Sequence, residues 1–269
     1  MASGPGGELD VDTVLERGRP GVHHGVASER WSVGPALNGG YGLVLALRAI
    51  AAEVPAPDPL TVTGHFLSGL VPGPVEIAVA VHREGRRAAV ATAAIRQEGE
   101  ARVRAIARFG ELPAAPDPQY LDVAPPSLPP PDACVGREPG AGNPLGIALL
   151  ERVDWRVDPT ARGWMIDGIP NGRPRQVGWL RFADGRPNDL LGLACLVDGI
   201  APTVMELGIG GWVPTLELTV HLRAHPAAGW LRCALASHVV QGGLTDETCE
   251  LWDGDGRFVA AARQLARLP

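Results

Sequence analysis

One carboxylate lies within a mostly apolar segment of the second half of the chain, where it could take part in acid–base chemistry. Residues Asn188–Leu207 are predicted to form a helix, and the residues at helical spacing from Asp198 are Leu191, Ala194, Cys195, Ala201, Pro202 and Met205. A carboxylate buried on such a face must find hydrogen-bond donors or take up a proton. Pro202 lacks the N–H that would bond to the carbonyl of Asp198, so the helix should bend or open there. The alternative is a structural carboxylate that caps a strand end.

Two further polar side chains lie on predicted strands of the same half. Gln264 alternates with small apolar residues, and a buried amide needs a hydrogen-bond partner. The opposite register would bury Arg263 instead, and both registers stay open. Thr215 stands at the entrance of a strand in which alternation places Leu216 and Leu218 on one face, so a strictly extended chain would point Thr215 away from it. Thr215 is therefore either a functional hydroxyl or a plain β-forming residue.

The composition and the absent motifs exclude several classes of protein. The chain has 269 residues, 45% of them hydrophobic and 20% charged, and a net charge of −6, which argues against nucleic-acid binding. The four cysteines and the His23–His24 pair lack metal-ligand spacing, so no metal and no cofactor is expected. There is no serine-hydrolase elbow, phosphate loop or dinucleotide motif. No apolar run reaches membrane-spanning length and no signal peptide is recognised, so a cytoplasmic location is expected.

The first half of the chain is predicted to be one helix followed by an antiparallel meander. Residues 38–54 run from the N-cap Asn38 to the residue before Pro55 and are apolar almost all round, which is typical of a helix buried on every side. Gly39 and Gly40 leave its first turn without bulk, so another group can approach its free N–H donors. Apolar residues at every second position then predict strands over 60–67, 75–83, 88–97 and 101–109.

The second half repeats this order of elements after a Pro-rich stretch. Strands are predicted over 152–156, 176–182, 215–223, 230–238, 245–252 and 258–268, with the apolar helix between the second and third. A shift of 156 residues lays His65 on His221 and Val103 on Val259. The predicted fold class is α+β, a double hotdog of two helix-wrapped antiparallel sheets. The expected domains are an N-terminal repeat over 1–110, a linker over 111–145 and a C-terminal repeat over 146–269.

Several motifs resemble the double-hotdog acyl-CoA thioesterase-like family, relatives of the type II acyl-CoA thioesterases. They are Trp31-Ser32-Val33, Asn38-Gly39-Gly40-Tyr41, Gly64-His65-Phe66-Leu67, Glu84-Gly85-Arg86, the segment Trp212–His221 and the segment Val259–Leu265. In that family an Asp, a Thr and a Gln position the attacking water, and the resemblance puts these roles on Asp198, Thr215 and Gln264. Under the same shift they correspond to Gly42, Pro59 and Arg108, so the trio would exist once per chain.

The resemblance predicts hydrolysis of an acyl thioester of CoA or of an acyl carrier, with substrate bound near Gly39, Gly40 and Tyr41. CoA would be part of the substrate. A homodimer or tetramer is expected by analogy, without a nucleic-acid or membrane partner. The main alternative is a non-hydrolytic acyl-thioester-binding or accessory protein. A hydratase is less favoured, because that chemistry uses a paired Asp and His.

Overall fold

The computed structural model describes residues 6–85, 87–114, 118, 120–136 and 146–269. Its α-helices are α1 (Glu8–Asp12), α2 (Gly39–Ala51), α3 (Trp164–Asp167) and α4 (Leu190–Leu196). Its strands are β1 (Glu16–Arg17), β2 (Val22–Ala27), β3 (Ser32–Val33), β4 (Ala36–Leu37), β5 (Asp58–Phe66), β6 (Gly73–Gly85), β7 (Ala88–Gln97), β8 (Glu100–Gly110), β9 (Val135–Gly136), β10 (Val153–Val157), β11 (Arg175–Phe182), β12 (Thr215–Leu222), β13 (Leu231–Gln241), β14 (Leu244–Trp252) and β15 (Phe258–Arg267).

Thirteen of these strands form one antiparallel sheet in the order β1-β2-β6-β7-β8-β5-β12-β15-β14-β13-β11-β10-β9. The two halves of the chain join where β5 pairs with β12. Thr63 lies opposite Thr219 in this pair, and their hydroxyl oxygens are 2.8 Å apart. The same residue of each repeat thus meets its counterpart at a pseudo-twofold axis, which confirms the predicted duplication and the double hotdog architecture.

Helices α2 and α4 occupy the interior of the sheet and contact each other. Every residue of α2 from Gly40 to Leu47 is buried, as its uniformly apolar sequence predicts. The contact depends on Gly40, because a Cβ atom there would lie 2.5 Å from the carbonyl oxygen of Cys195. The two helices are therefore as close as their backbones allow, and the first turn of α2 lies beside the end of α4.

The second apolar helix differs from its prediction over residues 188–207. Helix α4 ends at Leu196, and a separate 3₁₀ helix follows at Thr203–Leu207. Pro202 stands as the N-cap of that 3₁₀ helix, and the chain between the two helices is open, which agrees with the predicted bend or opening near Pro202. Asp198 consequently lies in the turn after α4 instead of inside a helix.

Two other segments differ from the sequence-based expectation or extend it. His23 and His24 lie in β2, a strand that the sequence did not predict, and buried His23 bonds to Glu53 through its Nε2 at 2.9 Å. Part of the linker over 111–145 is outside the described residues, as is Arg86. In the described part, the carbonyl of Pro129 accepts a hydrogen bond from Trp179 and β9 pairs with β10. Among the described residues, no helix is long and apolar enough to cross a membrane.

Candidate active site

The carboxylate of Asp198 is held by the N-terminal turn of α2. Asn38 Nδ2 donates to Asp198 Oδ2 at 2.9 Å and to the Asp198 carbonyl at 2.6 Å, while the Gly40 N–H donates to Oδ2 at 3.0 Å. Asn38 also caps α2, because its Oδ1 accepts the Tyr41 N–H at 2.9 Å. One amide thus both caps the N-terminal helix and binds the acid of the C-terminal repeat.

Asp198 is a weaker acid than an exposed aspartate. Loss of water around the half-buried side chain raises its pKa to about 7, and repulsion by the carboxylate of Glu247 acts in the same direction. Hydrogen bonds from the backbone of Gly40 and Gly39 and from the side chain of Asn38 oppose this rise. A group with this pKa exchanges its proton near neutral pH, which is the range in which a general base works best.

Thr215 and Gln264 meet on neighbouring strands. Thr215 Oγ1 donates to Gln264 Oε1 at 2.6 Å. Gln264 lies opposite Leu218 in the pairing of β15 with β12, and Leu218 is in the core, so Gln264 faces the interior and Arg263 faces solvent. This decides between the two registers that the sequence left open.

A β-bulge explains how Thr215 reaches the same face. The pairing of β12 with β15 shifts between Thr215, opposite Ala266, and Glu217, opposite Leu265. The extra residue, Leu216, reverses the alternation at the start of the strand. Strict alternation from Leu218 therefore gives the wrong direction for Thr215, whereas the bulge turns its hydroxyl towards Gln264.

The constant shift of 156 residues between the repeats fails at Gln264 for a related reason. The 156-residue shift holds between β5 and β12, where it makes Val62 the counterpart of Leu218. Val62 lies opposite Ala107 in the pairing of β5 with β8. Ala107 is therefore the structural counterpart of Gln264, one residue before the Arg108 predicted by a constant shift. The first repeat still has no equivalent amide at this position.

Glu247 lies beside Gln264 on the neighbouring strand β14, and it was not among the candidate residues predicted from the sequence. It lies opposite Gln264 and Ser237 in the pairing of β14 with its two neighbours, with 5% of its surface exposed. Its Oε1 accepts a hydrogen bond from Gln264 Nε2 at 2.8 Å, and its Oε2 accepts one from the Thr203 N–H at 2.7 Å. Burial raises the pKa of this carboxyl as well. Its alternation with Cys249 and Leu251 was the signal that could have found it.

The structure joins the three predicted residues in two groups. Thr215 and Gln264 are hydrogen-bonded to each other, whereas the Asp198 side chain accepts its hydrogen bonds from Asn38, Gly39 and Gly40. Glu247 links the two groups, because it accepts a hydrogen bond from Gln264 and its charge raises the pKa of Asp198. Residue Thr203, five positions after Asp198, anchors the intervening loop to Glu247.

The three residues expected to bind substrate have different surroundings. The N–H of Gly40 is taken by Asp198. A Cβ on Gly39 would lie 2.8 Å from Phe66 Cζ and 3.0 Å from Asp198 Oδ2, so this glycine leaves the carboxylate and the ring beside the helix terminus. Tyr41 is fully buried, and its hydroxyl donates to the Asp12 carbonyl at 2.7 Å and accepts the Ser28 N–H at 3.0 Å. Its side chain is committed to packing.

Comparison with known proteins gives two matching family models. One is described as the acyl-CoA thioesterase N-terminal domain and matches residues 27–110, and the other is the acyl-CoA thioesterase C-terminal domain and matches residues 125–268. An uncharacterized protein of Mycobacterium tuberculosis is 31% identical over 278 residues, covering 92% of this chain and 91% of that protein.

Solved structures agree with these matches. A thioesterase II candidate from Thermobifida fusca is 29% identical, with a TM-score of 0.90 over 100% of both chains. A protein of unknown function with a hot dog fold from Alicyclobacillus acidocaldarius has a TM-score of 0.84 and 23% identity over 97% of both chains, a likeness of fold alone.

Proposed function

Since this chain belongs to the acyl-CoA thioesterase family, we propose that it hydrolyses an acyl-CoA or acyl-carrier thioester with a water molecule positioned by Asp198, Thr215 and Gln264. The observation that carries the proposal is the half-buried Asp198 carboxylate, whose pKa of about 7 suits a general base and is raised in part by Glu247, the residue that accepts a hydrogen bond from Gln264. A thioester has a good leaving group, so a positioned water and a stabilised oxyanion suffice for the reaction.

Asp198 is the base in this proposal. Its Oδ2 is held by Asn38 and Gly40, which leaves Oδ1 to accept a proton from water. As that proton moves to Asp198, the water oxygen forms a bond with the thioester carbon. The C–S bond of the resulting tetrahedral intermediate then breaks as the carbonyl re-forms, and the leaving thiolate takes the proton held by Asp198, which gives the free thiol and restores the carboxylate. The ionised form of Asp198 is the active one.

Thr215 and Gln264 orient the water. Because the Thr215 hydroxyl proton is directed to Gln264, its oxygen can accept a hydrogen from the water. Gln264 uses one N–H on Glu247 and has a second to donate to the water oxygen or to the developing oxyanion. These contacts fix the attacking oxygen relative to Asp198, and such positioning lowers the barrier because the reacting groups are already aligned.

The N-terminus of α2 acts on Asp198 in this scheme, and not directly on the oxyanion. The Gly40 N–H, one of the free donors that the sequence predicted at this helix terminus, already bonds to Asp198 Oδ2. Gly39 contributes space, since any side chain there would meet Phe66 and the carboxylate. The acyl chain is proposed to enter beside Phe66.

A panel of acyl-CoA esters of different chain length and branching, with release of free thiol as the readout, tests the proposal. We expect the wild type to hydrolyse at least one ester and Thr215→Val to lower its kcat by roughly ten- to a hundredfold, because only the hydroxyl is removed. Calorimetric binding of an acyl-CoA without thiol release from any ester would refute hydrolysis and would favour a binding protein.

A further inference from the structure

Glu247 is a buried carboxylate for which packing gives no reason. It lies on the inner face of β14 between Ser237 and Gln264. The equivalent strand pairings of the first repeat identify a counterpart for each of these three residues. Val81 corresponds to Ser237, Ala91 to Glu247 and Ala107 to Gln264, and all three counterparts are apolar. The fold therefore closes without a polar side chain here. Burying a carboxylate carries a desolvation cost that Ala91 avoids, so Glu247 is expected to serve the site.

The partners of Glu247 make it an acceptor at both oxygens. The Thr203 backbone N–H can only donate, so Oε2 must accept. Oε1 receives its hydrogen bond from Gln264. Among the described residues no arginine or histidine forms an ion pair with Glu247. Because both oxygens of Glu247 accept hydrogen bonds, its neighbours must turn N–H groups towards it.

We propose that Glu247 is a positioning residue that fixes the amide of Gln264, with the nitrogen towards Glu247 and the oxygen towards Thr215. The two ends of an amide have nearly the same shape, so only hydrogen bonds select between them. The Thr215 hydroxyl can donate or accept and selects neither. Glu247 therefore determines that the chain of hydrogen bonds runs from Thr215 through Gln264 to Glu247.

This direction matters for the proposed hydrolysis, on which the inference rests. With the nitrogen turned towards Glu247, Gln264 keeps an N–H for the water or the oxyanion and the Thr215 oxygen keeps a free lone pair. With the amide reversed, the Thr215 oxygen would accept from Gln264, and its proton would point at the water. The oriented donor and acceptor would then be lost, although both residues remained in place.

Glu247→Gln is the first test, because glutamine has the same shape but cannot accept at both ends. We expect kcat on the preferred acyl-CoA to fall by roughly ten- to a hundredfold with KM changed by less than about threefold. Glu250→Gln is the matched control, since Glu250 lies on the outer face of the same strand, and it should have wild-type kcat. In a Gln264→Ala background, Glu247→Gln should lower kcat no further. Additive losses, or an unchanged kcat in folded Glu247→Gln, would overturn the inference.

The exchange variant with both Glu247→Gln and Gln264→Glu distinguishes the effect of hydrogen-bond direction on kcat from the effect of hydrogen bonding on stability. It again pairs every donor with an acceptor, so its thermal midpoint should recover towards the wild type, yet kcat should stay low because no N–H remains beside Thr215. Recovery of kcat would show that kcat depends on pairing every donor with an acceptor and not on the direction of the hydrogen bonds, and it would overturn the inference.

A readout without substrate separates this inference from the proposed function. The side-chain amide protons of Gln264, followed by NMR, should exchange slowly with solvent in the wild type and faster in Glu247→Gln. Slow exchange in a wild type that hydrolyses no ester would support the positioning while refuting hydrolysis. Equal exchange in both proteins would refute the positioning.

Discussion

The amide of Asn38 donates to Asp198 Oδ2 across 160 residues of sequence. The N-cap of the helix in the first repeat thus holds the acid of the second repeat, and neither repeat contains the site alone. The contact of Gly40 in α2 with Cys195 in α4 lies at the same place. Duplication of the hotdog unit allowed one copy to carry the acid and the other to supply its donors.

Asn38 should set the pKa of Asp198 as well as cap α2. Asn38→Ser keeps a capping oxygen but cannot reach Asp198, so the pH midpoint of kcat/KM should rise by roughly 0.5–1 unit. Two lost hydrogen bonds should lower the free energy of unfolding by roughly 1–2 kcal/mol. Asn38→Ala should shift the midpoint equally and cost about 1 kcal/mol more, because the cap is also lost. An unchanged midpoint in both variants would contradict the role of Asn38.

Asp198→Asn should stabilise the protein at alkaline pH. The pKa of Asp198 is raised in the folded chain to about 7. Between the ordinary aspartate pKa and pH 7 the folded chain therefore keeps a proton that the unfolded chain has lost, so the free energy of unfolding falls as the pH rises through this range. Asparagine does not ionise, so the variant should gain roughly 1–3 kcal/mol at pH 8 and nothing at pH 4. Urea unfolding at the two pH values measures this difference. An equal effect at both would show that the carboxyl is not perturbed.

Gly40 and Gly42 form a matched pair for testing the helix contact. Gly40→Ala would place a methyl group 2.5 Å from the Cys195 carbonyl oxygen, so we expect a loss of about 2 kcal/mol or more and reduced activity. At Gly42 the nearest atom, Leu70 Cδ2, is 3.8 Å from the added carbon, so Gly42→Ala should stabilise the helix by roughly 0.5–1 kcal/mol. Thermal unfolding compares the two. Similar stabilities would argue against the contact.

Local patterns were sufficient to predict most of the fold. Alternation and turn residues located β5–β8 and β12–β15 to within about three residues, and the apolar run located α2, because these signals act within a few neighbouring residues. The break after α4 was predicted as a bend or opening at Pro202, whereas the helix already ends at Leu196.

The site depended on features that are not local. The bulge at Leu216 and the changed offset at Gln264 each add one residue, and one residue reverses the direction of a side chain on a strand. Glu247 was missed because its partners, Gln264 and Thr203, come from other elements. The role of Asp198, Thr215 and Gln264 was expected from family resemblance and remains a prediction.

The measurement that tests the central claim most directly is kcat/KM for the preferred acyl-CoA as a function of pH, in the wild type and in Asp198→Asn. The account predicts that the wild-type value rises about tenfold per pH unit to a midpoint near 7 and then levels off, because the ionised carboxylate is the base. It also predicts that Asp198→Asn is folded and at least about a hundredfold slower at pH 8, with a gap that narrows as the pH falls below 7 and the wild-type carboxylate takes up its proton. A variant that matches the wild-type rate, or one that keeps the same midpoint, would contradict the account.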